Sequence, residues 1–166
     1  VLKVLSNKDS SYLNLDVVIG SINPHIKEVR LLVDEYSNAK LHVQVDNIAA
    51  LMSKADIALG AGGTANLERM SVGLPSIVVT IAENQVAIAS ELDKDGYIKC
   101  LGSMSQVNEK IIKDALEYAI LNPQQLDFQS KKCKTLVDGQ GVKRVSELLI
   151  NSIDAQKLFV REANNG

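Results

Sequence analysis

Five short apolar runs alternate with stretches of helical periodicity along this chain, and that order constrains the fold more than any other feature. The runs lie at residues 15–19 (LDVVI), 40–45, 56–59, 76–81 and 97–101. A strand that leads through a helix into another strand closes as a right-handed crossover, which makes the strands parallel and puts helices on both faces. The first run ends at Gly20 and reads as a strand buried on both faces.

The helices between the runs carry start and stop signals. Pro24 opens a helix over residues 25–36, with Ile26, Val29, Leu32 and Val33 on one stripe. Asp46 is placed to cap a helix over 47–54, whose Ile48, Leu51 and Met52 share a side. Helices over 64–72 and 84–94 stop at Gly73 and Gly96. Ser105 or Asn108 caps a longer helix through Leu121, which Pro123 ends. Beyond Pro123 the pattern is all helix, over 126–136 and 142–153, with a turn at 138–141. The expected fold is therefore α/β: a Rossmann-like, doubly wound parallel sheet of five to six strands with a helical C-terminus. Residues 1–153 read as one domain, and residues 154–166 as a linker or the start of another.

Composition narrows the function classes. At 166 residues, 46% hydrophobic and 23% charged, the chain has enough apolar material for one real core. A net charge of −2 gives no electrostatic case for nucleic acid or an anionic membrane as partner. No apolar run reaches the roughly 18 residues of a membrane span, and no signal peptide is visible. Cys100 and Cys133 form neither a CxxC pair nor a metal-ligand spacing, so reduced thiols in a cytoplasmic protein are expected, with no metal and no cofactor. Val1 in place of methionine, with an apolar run over 1–5, reads as the interior of a longer protein.

Residues 55–85 (ADIALGAGGTANLERMSVGLPSIVVTIAENQ) hold the chemistry. A glycine turn with Gly60, Gly62 and Gly63 joins a strand end to a helix start, the place where open α/β sheets bind ligands. Glycines let backbone approach a ligand closely, and free amides at the turn favour an anion. Thr64 either adds a hydroxyl to a phosphate or caps its own helix. Glu68, one helical turn on, either accepts ribose hydroxyls or only complements the helix dipole. Glu83, Asn84 and Gln85 follow the next strand at the same sheet edge. Their heads suit sugar hydroxyls and N-acyl groups, while one of them can also cap a helix. His25 and His42 stand beside no nucleophile motif, and the cations Lys131, Lys132, Lys134, Lys143 and Arg144 read as solvated helix faces.

This segment, with VVIGSINPH at 17–25 and DGQGVKRV at 138–145, resembles the nucleotide-binding half of GT-B-fold sugar-nucleotide enzymes. It is most similar to the UDP-sugar hydrolase family of pseudaminic acid biosynthesis, and more distantly to the peptidoglycan N-acetylglucosaminyltransferase family. The resemblance covers roughly residues 1–150. It implies that Gly62, Gly63, Thr64 and Ala65 hold a diphosphate, that Glu68 binds the ribose, that Val45 lies by the uracil, and that Asn84 and Gln85 reach the sugar. It also implies a catalytic histidine on an N-terminal domain outside these residues. The partners are then a UDP-sugar and that domain, and no catalytic residue is expected in this chain. The tail over 157–166 (KLFVREANNG) resembles the opening strand of a GNAT-type acetyltransferase domain. Three functions remain open at this stage. They are the nucleotide-binding half of the hydrolase, a GT-B glycosyltransferase with the same UDP site, and a non-catalytic nucleotide-sugar-binding or docking domain.

Overall fold

A computed structural model describes the backbone of residues 13–163 and the side chains of residues 13–153; the run at 1–5 lies outside them. The order is β1 (Leu15–Ile19), α1 (Ile26–Asp34), β2 (Ala39–Val43), α2 (Ile48–Met52), β3 (Ala58–Ala61), α3 (Ala65–Ser71), β4 (Ser76–Thr80), α4 (Glu83–Lys94), β5 (Lys99–Ser103), α5 (Glu109–Leu121), α6 (Pro123–Leu136) and α7 (Gly141–Ala163). All strand pairing is parallel, as the alternation of runs and helices predicts.

The strands form two hydrogen-bonded ladders rather than one. β1 pairs with β2, and β3, β4 and β5 pair in that order; no ladder joins the two groups among the described residues. Apolar patterning marks which segments are strands. It does not say which strands join, because ladder bonds come from backbone groups that every residue carries.

β4 is the centre of the three-stranded ladder, and all of its side chains but that of Val79 are buried. Val78 packs with Ala89 of α4 and Ile98 before β5, against the flanks of Leu92 and Cys100. Burial of Ile77 and Val78 contributes about 1.5–3 kcal/mol each. Behind this layer, α3 packs on α6, with Met70 and Cys133 fully buried.

β1 departs from its expected burial on both faces. Asp16 and Val18 are exposed, with Val18 at 39%, because α1 covers only one face of the β1–β2 pair. Asp16 on the open face binds His42 of β2 at 2.6 Å.

Element ends shift where capping overrides pattern. β5 starts two residues later than its apolar run. Gly96, at φ 72°, closes α4, and Tyr97 and Ile98 still donate to the Leu92 carbonyl. Asn47 rather than Asp46 caps α2, its Oδ1 accepting from the Ala50 amide at 3.1 Å. Asn108, not Ser105, caps α5. Pro123 opens α6 instead of only ending α5, since its fixed φ suits a first helical position. α7 runs through Ala163, and residues 164–166 at the end of the tail lie outside the described residues.

Candidate nucleotide-sugar site

The glycine turn leaves β3 at its carboxyl end and enters α3. Gly62 and Gly63 do different jobs in it. The Gly62 N–H donates to the Val79 carbonyl at 3.1 Å, which extends the β3–β4 ladder by one bond. Its contribution to any ligand is therefore room rather than a hydrogen bond. A Cβ at Gly62 would stand 3.2 Å from both Thr80 Cγ2 and Val78 Cγ1. The Gly63, Thr64 and Ala65 amides have no protein acceptor among the described residues. Thr64 makes no side-chain cap bond, so its exposed hydroxyl is also open to a ligand. α3 has only seven residues, so its dipole is small and these turn groups carry the anion preference.

Gln85, in the first turn of α4, reaches back over the turn. Its Oε1 accepts from the Ile81 amide at 3.0 Å. The same carboxamide lies 3.4 Å from a Cβ position on Gly62 and 3.5 Å from one on Gly63, with Nε2 toward Gly63. Nε2 takes no protein acceptor among the described residues, which leaves its donors facing the turn. Gln85 thus lies over the glycine turn, whereas Glu83 and Asn84 sit exposed at the α4 start without a side-chain partner among the described residues.

Glu68 is exposed on α3, and its carboxylate forms no ion pair or hydrogen bond among the described residues. Such a group can accept two vicinal hydroxyls without breaking a protein contact.

Val45 follows β2 beside a constrained residue. Gln44 sits at φ 54°, the left-handed region that a non-glycine residue occupies at a cost of about 1–3 kcal/mol. Three bonds hold it there. Its N–H donates to the Ile19 carbonyl at 3.0 Å, and its Oε1 accepts from the Ser21 amide at 3.4 Å and the Ser21 hydroxyl at 3.1 Å. The loops after β1 and β2 are thereby tied at the carboxyl edge of their ladder, and the half-buried Val45 is set between them and α2. α2 in turn packs on α3, which links this corner to the glycine turn.

Arg69 has no place in the sequence reading, yet it lies under the turn. It is 6% exposed and donates through Nη2 to the Ala61 carbonyl at 2.9 Å and to Asn66 Oδ1. Desolvation lowers its pKa from the ordinary arginine value, and the nearby Glu68 charge opposes that shift. Asn66, Arg69 and Met70 share the buried stripe of this short helix, where a cation is unusual.

The histidines take other roles. His25 is exposed and pairs with Glu28 at 3.1 Å beside the α1 start. No group of three His, Cys, Asp or Glu residues is arranged to hold a metal ion among the described residues. No helix among them is long and apolar enough to cross a membrane. The last motif, 138–145, is a helix start. Arg144 grips Asp138 through both carboxylate oxygens, at 2.6 and 3.1 Å.

A family model described as lipid-A-disaccharide synthetase matches residues 2–138. The chain belongs to that family. This member of the lipid-A-disaccharide synthetase family is 32% identical over 137 residues to the spore coat polysaccharide biosynthesis protein SpsG of Bacillus subtilis (strain 168). That match covers 82% of the chain but 40% of SpsG, so the chain spans less than half of this relative. MurG of Acinetobacter baumannii superposes at TM-score 0.66 and 18% identity, over 90% of this chain and 46% of MurG. A UDP-GlcNAc 2-epimerase from Neisseria meningitidis, solved bound to UDP-GlcNAc, gives TM-score 0.65 and 21% identity, over 90% of this chain and 39% of its own. At these identities the two structures show the fold. The chain is a Rossmann-like half of a GT-B architecture, glycosyltransferase-like in type.

Proposed function

We propose that this chain is the nucleotide-binding half of a UDP-sugar hydrolase, which releases UDP from a UDP-linked diacetamido trideoxy sugar in nonulosonic (pseudaminic) acid biosynthesis. One observation carries the binding part: the unengaged Gly63, Thr64 and Ala65 amides, with Gln85 Nε2 beside Gly63, are followed by the unpaired Glu68. That set offers donors to phosphate oxygens and an acceptor to ribose hydroxyls, in the order in which a nucleoside diphosphate presents them. Val45 supplies an apolar edge for the uracil, and Asn84 an exposed amide for the sugar. The epimerase neighbour, solved bound to UDP-GlcNAc, supports the choice of nucleotide.

The hydrolytic reading rests on the resemblance of the 55–85 segment to the hydrolase family. In that chemistry water attacks the anomeric carbon, the bond from that carbon to the β-phosphate oxygen breaks, and UDP leaves with the bonding pair. A base that takes the water proton is expected outside these 166 residues. The family match to lipid-A-disaccharide synthetase favours a second reading, in which a hydroxyl acceptor replaces water. Both readings use the same UDP site.

Titration of the chain with UDP, followed by amide NMR, tests the binding part. Shifts are expected at Gly63, Thr64, Ala65, Gln85 and Val45. An unchanged spectrum at millimolar UDP would overturn the site. Incubating the longer protein with a UDP-sugar, with and without a sugar acceptor, separates hydrolysis from transfer.

A further inference from the structure

We infer that Arg69 is a positioning residue that fixes the glycine turn from beneath and lends it positive charge, tuning the turn for a diphosphate over an uncharged ligand. The inference rests on the UDP-sugar reading of the turn and goes beyond it to the group that builds the cradle.

The geometry places the guanidinium directly behind the end of β3. Nη2 holds the carbonyl of Ala61, the last strand residue, and the Asn66 side chain at the start of α3. Nη1 occupies the space that a Cβ on Gly60 would need: the two would be 2.8 Å apart. A residue of the helix therefore grips the strand end eight positions before it, and the segment so closed holds the turn and the first residues of α3. Gly60 has an ordinary backbone conformation, so its lack of a side chain answers to Arg69 rather than to positive φ.

The energetics are those of a group kept for its charge. Arg69 forms no ion pair with a carboxylate among the described residues. Its Nε and the Asn66 Nδ2 are buried without acceptors among the described residues. A buried cation whose hydrogen bonds all go to neutral oxygens is costly even with the Glu68 charge nearby, and an apolar residue of similar volume would stabilise the same position better. A buried cation behind the turn is compensated when an anion sits in front of it.

The test uses three variants of the 166-residue chain: Arg69→Met, Arg69→Lys and Gly60→Ala. UDP and uridine affinities are measured by titration, and folding is followed by circular dichroism. Arg69→Met is expected to weaken UDP by about tenfold while changing uridine by less than about twofold. Arg69→Lys retains the charge and loses less. Gly60→Ala keeps every charge but displaces Nη1, so it weakens UDP in the native background and adds nothing on top of Arg69→Met. That non-additivity also serves if Arg69→Met is poorly folded, because Gly60→Ala can then be combined with Arg69→Lys, where its effect should shrink. Equal loss for UDP and uridine, or unchanged UDP binding in all variants, overturns the inference while leaving the UDP site standing. Failure of the native chain to bind UDP overturns both, and is distinguishable because no variant is needed to see it.

Discussion

Gln85 and Gly63 face each other across the site: the Gln85 Nε2 lies 3.5 Å from a Cβ position on Gly63, while its Oε1 holds the Ile81 amide. One side chain thus locks the start of α4 and presents donors to the glycine turn. Replacing Gln85 by alanine removes both. Loss of the Ile81 bond should cost about 0.5–1.5 kcal/mol of stability. UDP-sugar affinity should fall further than that small loss explains, as thermal unfolding and calorimetric titration run side by side would reveal.

The two central glycines should respond oppositely to alanine. Gly62→Ala presses a methyl group against Thr80 Cγ2 and Val78 Cγ1 of the buried central strand. Overpacking there should cost about 1–3 kcal/mol. Gly63→Ala meets only ordinary contact with the mobile end of Gln85, so stability should hold. In the proposed UDP site a methyl group at residue 63 crowds the phosphate, so UDP binding should drop without loss of melting temperature.

Glu68 is exposed and unpaired, so Glu68→Gln should leave stability within about 0.5 kcal/mol. Its effect should appear in ribose recognition. The native chain should prefer UDP over its 2′-deoxy analogue, and Glu68→Gln should flatten that preference. Equal preference in both proteins would remove Glu68 from the ribose site.

The start of α7 should weaken only in strong acid. Arg144 and the Gln140 amide hold the Asp138 carboxyl at about 2, below its usual 3.8. A group whose pKa is depressed in the folded state stabilises above the unfolded value and loses that contribution as pH falls through the folded one. Amide protection near Gly141, taken relative to the intrinsic exchange rate at each pH, should therefore stay constant from neutral pH to about 4 and fall between about 4 and 2. Asp138→Asn should abolish the pH dependence.

Much of this was legible from residue pattern alone. Glycines at 60, 62 and 63 between an apolar run and a helix place the turn correctly, because few other residues allow so close an approach. The division of labour within the turn was not legible. Whether the Gly62 amide faces a ligand or Val79 depends on the β3–β4 register, which no local pattern encodes. Gln85 shows the same limit: its residue type points to a sugar, but the path of the α4 start turns it over the glycines. Arg69 escaped notice because a cation next to Glu68 reads as surface, and only the helix phase fixed by packing on α6 turns it inward. The late start of β5 follows from the Gly96 closure, which consumes two apolar residues before the ladder can begin.

The contact between Gly60 and Arg69 also bears on sequence change. A side chain at one position and a guanidinium at the other compete for a single volume. The two positions therefore form one heritable unit. A chain of this fold that gains a Cβ at residue 60 must shorten residue 69 or move its guanidinium off the Ala61 carbonyl. Drift at either position alone should be rarer than paired replacement of both.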